Sequence, residues 1–281
     1  MSATELVPKF EKYRTELTKD EAPAYVTYPY VLRGYRCGGD YKRCTAALFE
    51  LHTETFNAWT MIAGGVVSSA MLAWVIVATH GSALAVVPFL ALTAAVLIHM
   101  PFSVCFHLFR GINVDVYNLW RRLDQAFIFL VSILIAFALS WHVYSSWIGI
   151  AVNTGCAALV AGMGVREIVT LQPHFQRHRG QMVVFVGTIV LAYWFPMAYQ
   201  AGKELAQLQP TPATWLAIGT FVSLQLGGWV FAAGFPEKHF PGVFDYAFFS
   251  HQLMHVFAAI AHVLEYLFVW ELHKQSMLQT A

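Results

Sequence analysis

Two long tracts of the chain, Thr55–Phe109 and Gln125–Val165, carry no Asp, Glu, Lys or Arg. A helix needs about 20 apolar residues to cross the hydrocarbon core of a bilayer, so each tract has room for two crossings and a tight turn. Bounding the uncharged stretches by charge, glycine or proline predicts seven spanning helices, over 57–79, 84–108, 122–141, 143–164, 181–200, 213–235 and 247–270. The expected fold is an all-α membrane protein, a seven-transmembrane helix bundle. A segment over 1–56 precedes the helical domain of 57–271, and a short tail over 272–281 follows it.

Lysine and arginine fix the expected orientation, because short loops rich in them stay on the cytoplasmic side. All of them except Lys203 and Lys274 fall in the N-terminal segment or in the loops after the second, fourth and sixth helices. The N-terminus is therefore expected inside and the C-terminus outside or in a lumen. The first 30 residues hold charges throughout and no apolar core, so no cleavable signal peptide is expected there.

Composition narrows the class further. Hydrophobic residues make up 58% of the 281 and charged residues 12%, about half the charge of a soluble domain, and mean hydropathy is +0.54. A soluble globular domain, a disordered chain and a coiled coil are excluded. Net charge is +1, which supplies no basic stripe for nucleic acid. The four cysteines, Cys37, Cys44, Cys105 and Cys156, match no redox or metal spacing and are expected as free thiols.

Ionisable side chains inside spanning helices are costly and mark function by default. The predicted topology brings several to one depth, near the inner boundary. His107 ends the second helix, with Ser103 one turn earlier on the same face. Asp124 starts the third, and His251 and His255 stand one turn apart at the start of the seventh. Three imidazoles with one position left for water form the donor set of a catalytic zinc site, and a nearby carboxylate and hydroxyl would orient that water. The spacing of His251 and His255 is weak by itself; its coincidence in depth with His107 and Asp124 carries the reading. His174 and His178 repeat the spacing beside Arg177 and Arg179, where a solvated turn is expected. His99 is expected to be packed and hydrogen-bonded, and His262 and Glu265 to pair or to line a passage. Gly64-Gly65 and Gly227-Gly228 are expected at close helix contacts.

Local strings add what periodicity cannot. FPEKHFPGVFDYAFFSHQLMH over Phe235–His255 and SVCFHLF over Ser103–Phe109, with PYVLRGYR from Pro29, HTETFNAWT from His52 and Leu123-Asp124, resemble the progestin and adipoQ receptor family over about residues 28–272. The resemblance implies a seven-helix bundle with a cytoplasmic N-terminus and a Zn²⁺ ion near the inner leaflet, held by His107, His251 and His255, with Ser103 and Asp124 beside it. Thr53, Gln125 and Met254 depart from the family pattern, and none of them removes a ligand.

The expected function is a zinc-containing, receptor-like membrane protein with lipid amide hydrolase activity of ceramidase type, in which a zinc-bound water, activated by Asp124, attacks the amide and Ser103 orients it. Membrane lipids such as ceramide or a free fatty acid are the expected partners, in the plasma membrane, Golgi or endoplasmic reticulum. The alternative is a non-enzymatic receptor for an adipokine, steroid or lipid, with structural zinc and a cytoplasmic partner. A transporter fits less well, because the ionisable residues cluster at one leaflet.

Overall fold

The computed structural model describes residues 12–170 and 179–280. Seven long helices dominate: α2 (Thr55–Ala78), α3 (Ala83–Phe109), α4 (Val114–Ser140), α5 (Trp147–Thr170), α6 (Arg179–Ala206), α7 (Pro212–Ala233) and α8 (Ser250–Thr280). Among the described residues, six of them are long and apolar enough to cross a membrane, all but α6. At 28 residues α6 is itself long enough to do so. Successive helices pack in order, and α2 closes the bundle against α8. Large apolar side chains such as Val77, Ile148 and Leu159 stand exposed on the outside, where lipid is the solvent that suits them.

The predicted boundaries hold within three residues at nine of the fourteen helix ends and differ by four or more at five, among them the C-terminal ends of α5 and α6, which run six residues past the expected 164 and 200. α4 begins at Val114, ahead of the expected start at 122, because the Asn113 side chain accepts a hydrogen bond from Val116 N and caps the helix. Residues 114–121, including Asp115 and Arg121, thus lie on helix ahead of the expected start. Asp124 consequently sits ten residues along α4, about 15 Å from its first residue. α5 starts at Trp147 and not at 143. α8 continues through the expected tail to Thr280, steadied by a Glu271–Lys274 pair at 2.5 Å.

Ahead of the bundle, residues 12–54 form a folded cap. Strand β1 (Arg14–Leu17) pairs antiparallel with β2 (Tyr35–Cys37), and a short helix, α1 (Tyr41–Ala46), follows, capped by Asp40. Leu17, Tyr25, Val26, Tyr28, Val31 and Tyr35 bury themselves against Phe106 of α3, Tyr117 of α4 and Phe249 just before α8. The cap therefore closes the end of the bundle where α3 finishes and α2, α4 and α8 begin. All four cysteines are free.

Glycines set several helix contacts. A Cβ on Gly65 would meet Met100 Sδ of α3 at 2.6 Å, and one on Gly227 would meet Phe257 Cβ of α8 at 3.0 Å, whereas Gly64 faces open space. The tightest lies at Gly164, where a Cβ would fall 2.3 Å from the ring of Phe129, itself fully buried. Gly164→Ala is expected to cost about 1–3 kcal/mol through this overpacking, while Gly64→Ala leaves stability unchanged or raises it by a few tenths of a kcal/mol. Thermal unfolding in detergent reads the difference, and equal melting temperatures for the two variants would contradict the packing.

Candidate metal centre

His107 comes from the last turn of α3, and His251 and His255 from the first two turns of α8. One ring nitrogen from each lies within 4.8 Å of the others, and the ring centroids are 5.3, 5.3 and 4.8 Å apart. Two helices meet here, α3 ending and α8 beginning, and the loop before α8 holds its first turn in place. The Glu237 carboxylate accepts from the N–H and hydroxyl of Ser250 and so caps α8 one residue ahead of His251. Asp245 accepts from Leu32 N at 2.8 Å, tying the same loop to the cap. Gln252 donates to the carbonyls of Thr53 and Tyr246, fixing the first turn of α8 against the start of α2.

Each imidazole is oriented through its second nitrogen or left with a free one. His107 Nδ1 lies 2.7 Å from Glu54 Oε2, leaving Nε2 buried with no hydrogen-bond partner. His255 Nδ1 lies 3.0 Å from the Thr60 hydroxyl, which leaves its Nε2. His251 Nδ1 is buried and without a partner. Buried polar atoms are ordinarily satisfied, so unpartnered nitrogens converging from three helical turns are a donor set that fits a metal ion. Three imidazoles suit a borderline divalent cation.

Glu54 is the residue on which this geometry turns. It occupies the N-cap position of α2, yet its carboxylate makes no capping bond. Its oxygens go to His107, to Asn57 Nδ2 at 2.7 Å and to Arg110 Nη1 at 2.8 Å. Burial alone would raise its carboxyl; the Arg110 guanidinium and the His107 and Asn57 hydrogen bonds outweigh that and hold it well below the usual carboxylate range. A carboxylate behind a ligating histidine fixes its tautomer and raises its basicity. Sequence reasoning assigned Glu54 no role, since 53 residues separate it from His107 and only the fold joins them. The signal available was an acidic residue placed directly before an uncharged tract.

The remaining expected residues are brought to the same region with unequal connection. Asp124 accepts from His99 Nε2 at 3.1 Å and lies within Coulombic range of His107 and His255. His99 is thus hydrogen-bonded, as expected, and its partner is the carboxylate expected to act in chemistry. Ser103 is buried at 2% exposure one turn before His107; among the described residues no hydrogen bond joins it to the triad or to Asp124. His262 and Glu265 pair at 3.5 Å deeper along α8, where Ser68 Oγ also meets His262 at 3.1 Å. His174 and His178 lie outside the described residues.

The model that defines haemolysin-III-related proteins matches residues 49–266, a span that contains the triad, Glu54 and Asp124. The chain belongs to the haemolysin-III-related family. Within it the chain is similar to the progestin and adipoQ receptor-like protein 1 of Caenorhabditis elegans, 28% identical over 233 residues, and to the adiponectin receptor protein of Drosophila melanogaster, 23% identical over 240 residues. Each match covers 80% of this chain and 53% or 52% of the relative, so the chain spans about half the length of the curated relatives it matches. The resemblance to progestin and adipoQ receptors read from the motifs is borne out, and the protein is an integral, multi-pass membrane protein.

In this haemolysin-III-related chain Glu54→Gln keeps the volume of the side chain and removes the charge behind His107. The variant is expected to bind divalent metal about 10–100-fold more weakly, measured by competition with a calibrated chelator. Unchanged affinity would remove Glu54 from the site.

Proposed function

We propose that the protein is a zinc-dependent lipid amide hydrolase of ceramidase type with receptor-like regulation. In this reading the seven long helices cross the membrane, the capped end faces the cytoplasm and the C-terminus lies outside. The single observation that carries the proposal is the convergence of His107, His251 and His255 with unpartnered nitrogens against a buried carboxylate. The orientation rests on lysine and arginine, which collect in the N-terminal segment and in the loops at the capped end.

Zinc bound to the three imidazoles supplies Lewis acidity toward the amide carbonyl and lowers the pKa of water to about 7. The chain's own residues do the rest. Asp124, held through one oxygen by His99, accepts the proton of the attacking water on its other oxygen and returns it to the departing amine nitrogen as the C–N bond breaks. Ser103 hydrogen-bonds to the substrate beside His107. Glu54 accepts from His107 Nδ1 and so fixes the turn of the ring and leaves Nε2 for the metal. A two-tailed lipid reaches the site sideways between helices and presents its amide at headgroup depth, releasing a sphingoid base and a fatty acid.

The second reading is a signalling receptor whose metal is structural. The names of the two relatives, a receptor-like protein and a receptor protein, favour it, and the folded cap would then offer the surface for a cytoplasmic partner.

Mass spectrometry of purified protein incubated with short-chain ceramide separates the two. The parent is expected to release fatty acid, and Asp124→Ala to keep its metal while losing turnover at least about 100-fold. Full metal with no product from the parent would establish the receptor reading, and full activity in Asp124→Ala would overturn the role given to that residue.

A further inference from the structure

The cap buries Leu17, Val26, Val31 and Tyr35, yet at its edge it leaves Phe49 80% exposed and Leu51 61%. Glu50, between them, is turned the other way: its carboxylate pairs with Arg43 at 2.6 Å and accepts from the Tyr13 hydroxyl at 3.1 Å. The turn that carries the two apolar side chains is pinned to α2. Trp59 donates its indole N–H to the Leu48 carbonyl at 3.0 Å, and its ring meets that of Phe49 edge-on at 5.9 Å. Trp59 belongs to an exposed stripe of α2 that also holds Phe56, Val66, Trp74 and Val77, all on one side of the helix by its periodicity. Phe49 and Leu51 thus continue, beyond the first residue of the helix, the surface that lipid covers.

The end of α7 repeats the arrangement. Trp215, Val222 and Trp229 are exposed along one side of it, and beyond Gly234 the ring of Phe235 stands 6.0 Å from that of Trp229 and 5.8 Å from that of His239. Phe240 and Val243 follow, 54% and 70% exposed. The two acids of this loop are buried, Glu237 accepting from Ser250 and Asp245 from Leu32 N, while Lys238 and His239 stay exposed. At both edges, then, the carboxylates are turned inward and apolar side chains outward. Such patches are rare against water. They suit the headgroup–acyl boundary of a bilayer, which takes aromatic rings and aliphatic chains and offers phosphate to a lysine whose stem lies along apolar surface. We infer that the capped end is seated in its leaflet by two feet, Phe49 with Leu51 and Phe240 with Val243, which enter the headgroup–acyl boundary of the surrounding phospholipid. For this α2 and α7 need only cross the membrane; no hydrolase activity is involved. Glu54 follows Leu51 by three residues, so the first foot steadies the segment that delivers the carboxylate behind His107.

Nitroxide labels read the depth of each foot. Leu51→Cys and Val243→Cys are labelled singly in a background with Cys105 and Cys156 replaced by alanine, Cys37 and Cys44 being buried. Val66→Cys on the lipid face of α2 and Asp20→Cys on the cap serve as references. All four positions are exposed, so labelling leaves the packing intact. The protein is reconstituted in nanodiscs of phosphatidylcholine and phosphatidylglycerol, open to water on both faces and wide enough for two copies. Collision with oxygen and with a water-soluble nickel chelate is expected to place both feet about 5–10 Å inside the boundary, shielded from nickel as Val66 is and unlike Asp20. A foot as open to nickel as Asp20 would overturn the proposal. So would dipolar broadening at either label that vanishes on dilution with unlabelled protein, which would mean that a second copy of the chain, and not lipid, covers the patch.

Discussion

One buried carboxylate holds the protein's two parts in register. Glu54 ends the cap and begins the bundle, and its oxygens are shared among His107 of α3, Arg110 at the end of that helix and Asn57 of α2. An ion so deeply buried survives only with close partners of opposite charge and filled hydrogen-bonding positions. Removing Arg110 leaves an uncompensated charge inside the fold, and removing His107 or Asn57 leaves a buried carboxylate oxygen short of a hydrogen bond. The same carboxylate fixes the ring that ends α3, so the docking of the cap and the orientation of a metal-capable histidine are one interaction. Arg36 extends the link by donating to the α3 carbonyls at His107 and Leu108.

Polarity within the bundle follows a depth order. The triad, Asp124, His99 and Ser103 crowd toward the capped end. Further along α8, His262 pairs with Glu265 and meets Ser68, and Thr93 Oγ1 lies 2.8 Å from the Tyr266 hydroxyl. These groups satisfy one another inside the bundle, where neither lipid nor water would. Beyond them the core of Phe89, Leu92, Leu139, Met197 and Phe268 is apolar.

The helices were legible because the bilayer demands long uncharged runs, and such runs survive in the sequence without any knowledge of packing. The first turns of α4 were not, because the charged residues Asp115 and Arg121 lie outside the uncharged run that hydropathy finds, and the Asn113 cap that starts the helix is a local hydrogen bond. The triad was legible because histidines are rare at these depths and three of them share one. Glu54 was not, because its meaning depends on His107, which sequence cannot place beside it. The cap was equally hidden: β1 and β2 are four and three residues long, too short for a periodic pattern, and their stability comes from the aromatic residues buried beneath them.

The central claim is that the three histidines form a metal site completed by a carboxylate from the cap. Elemental analysis of the purified parent protein beside His251→Ala tests it most directly. The account predicts about one zinc per chain in the parent and little or none in the variant. A parent that carries no metal after purification without chelators, and takes up none when zinc is supplied, would contradict it.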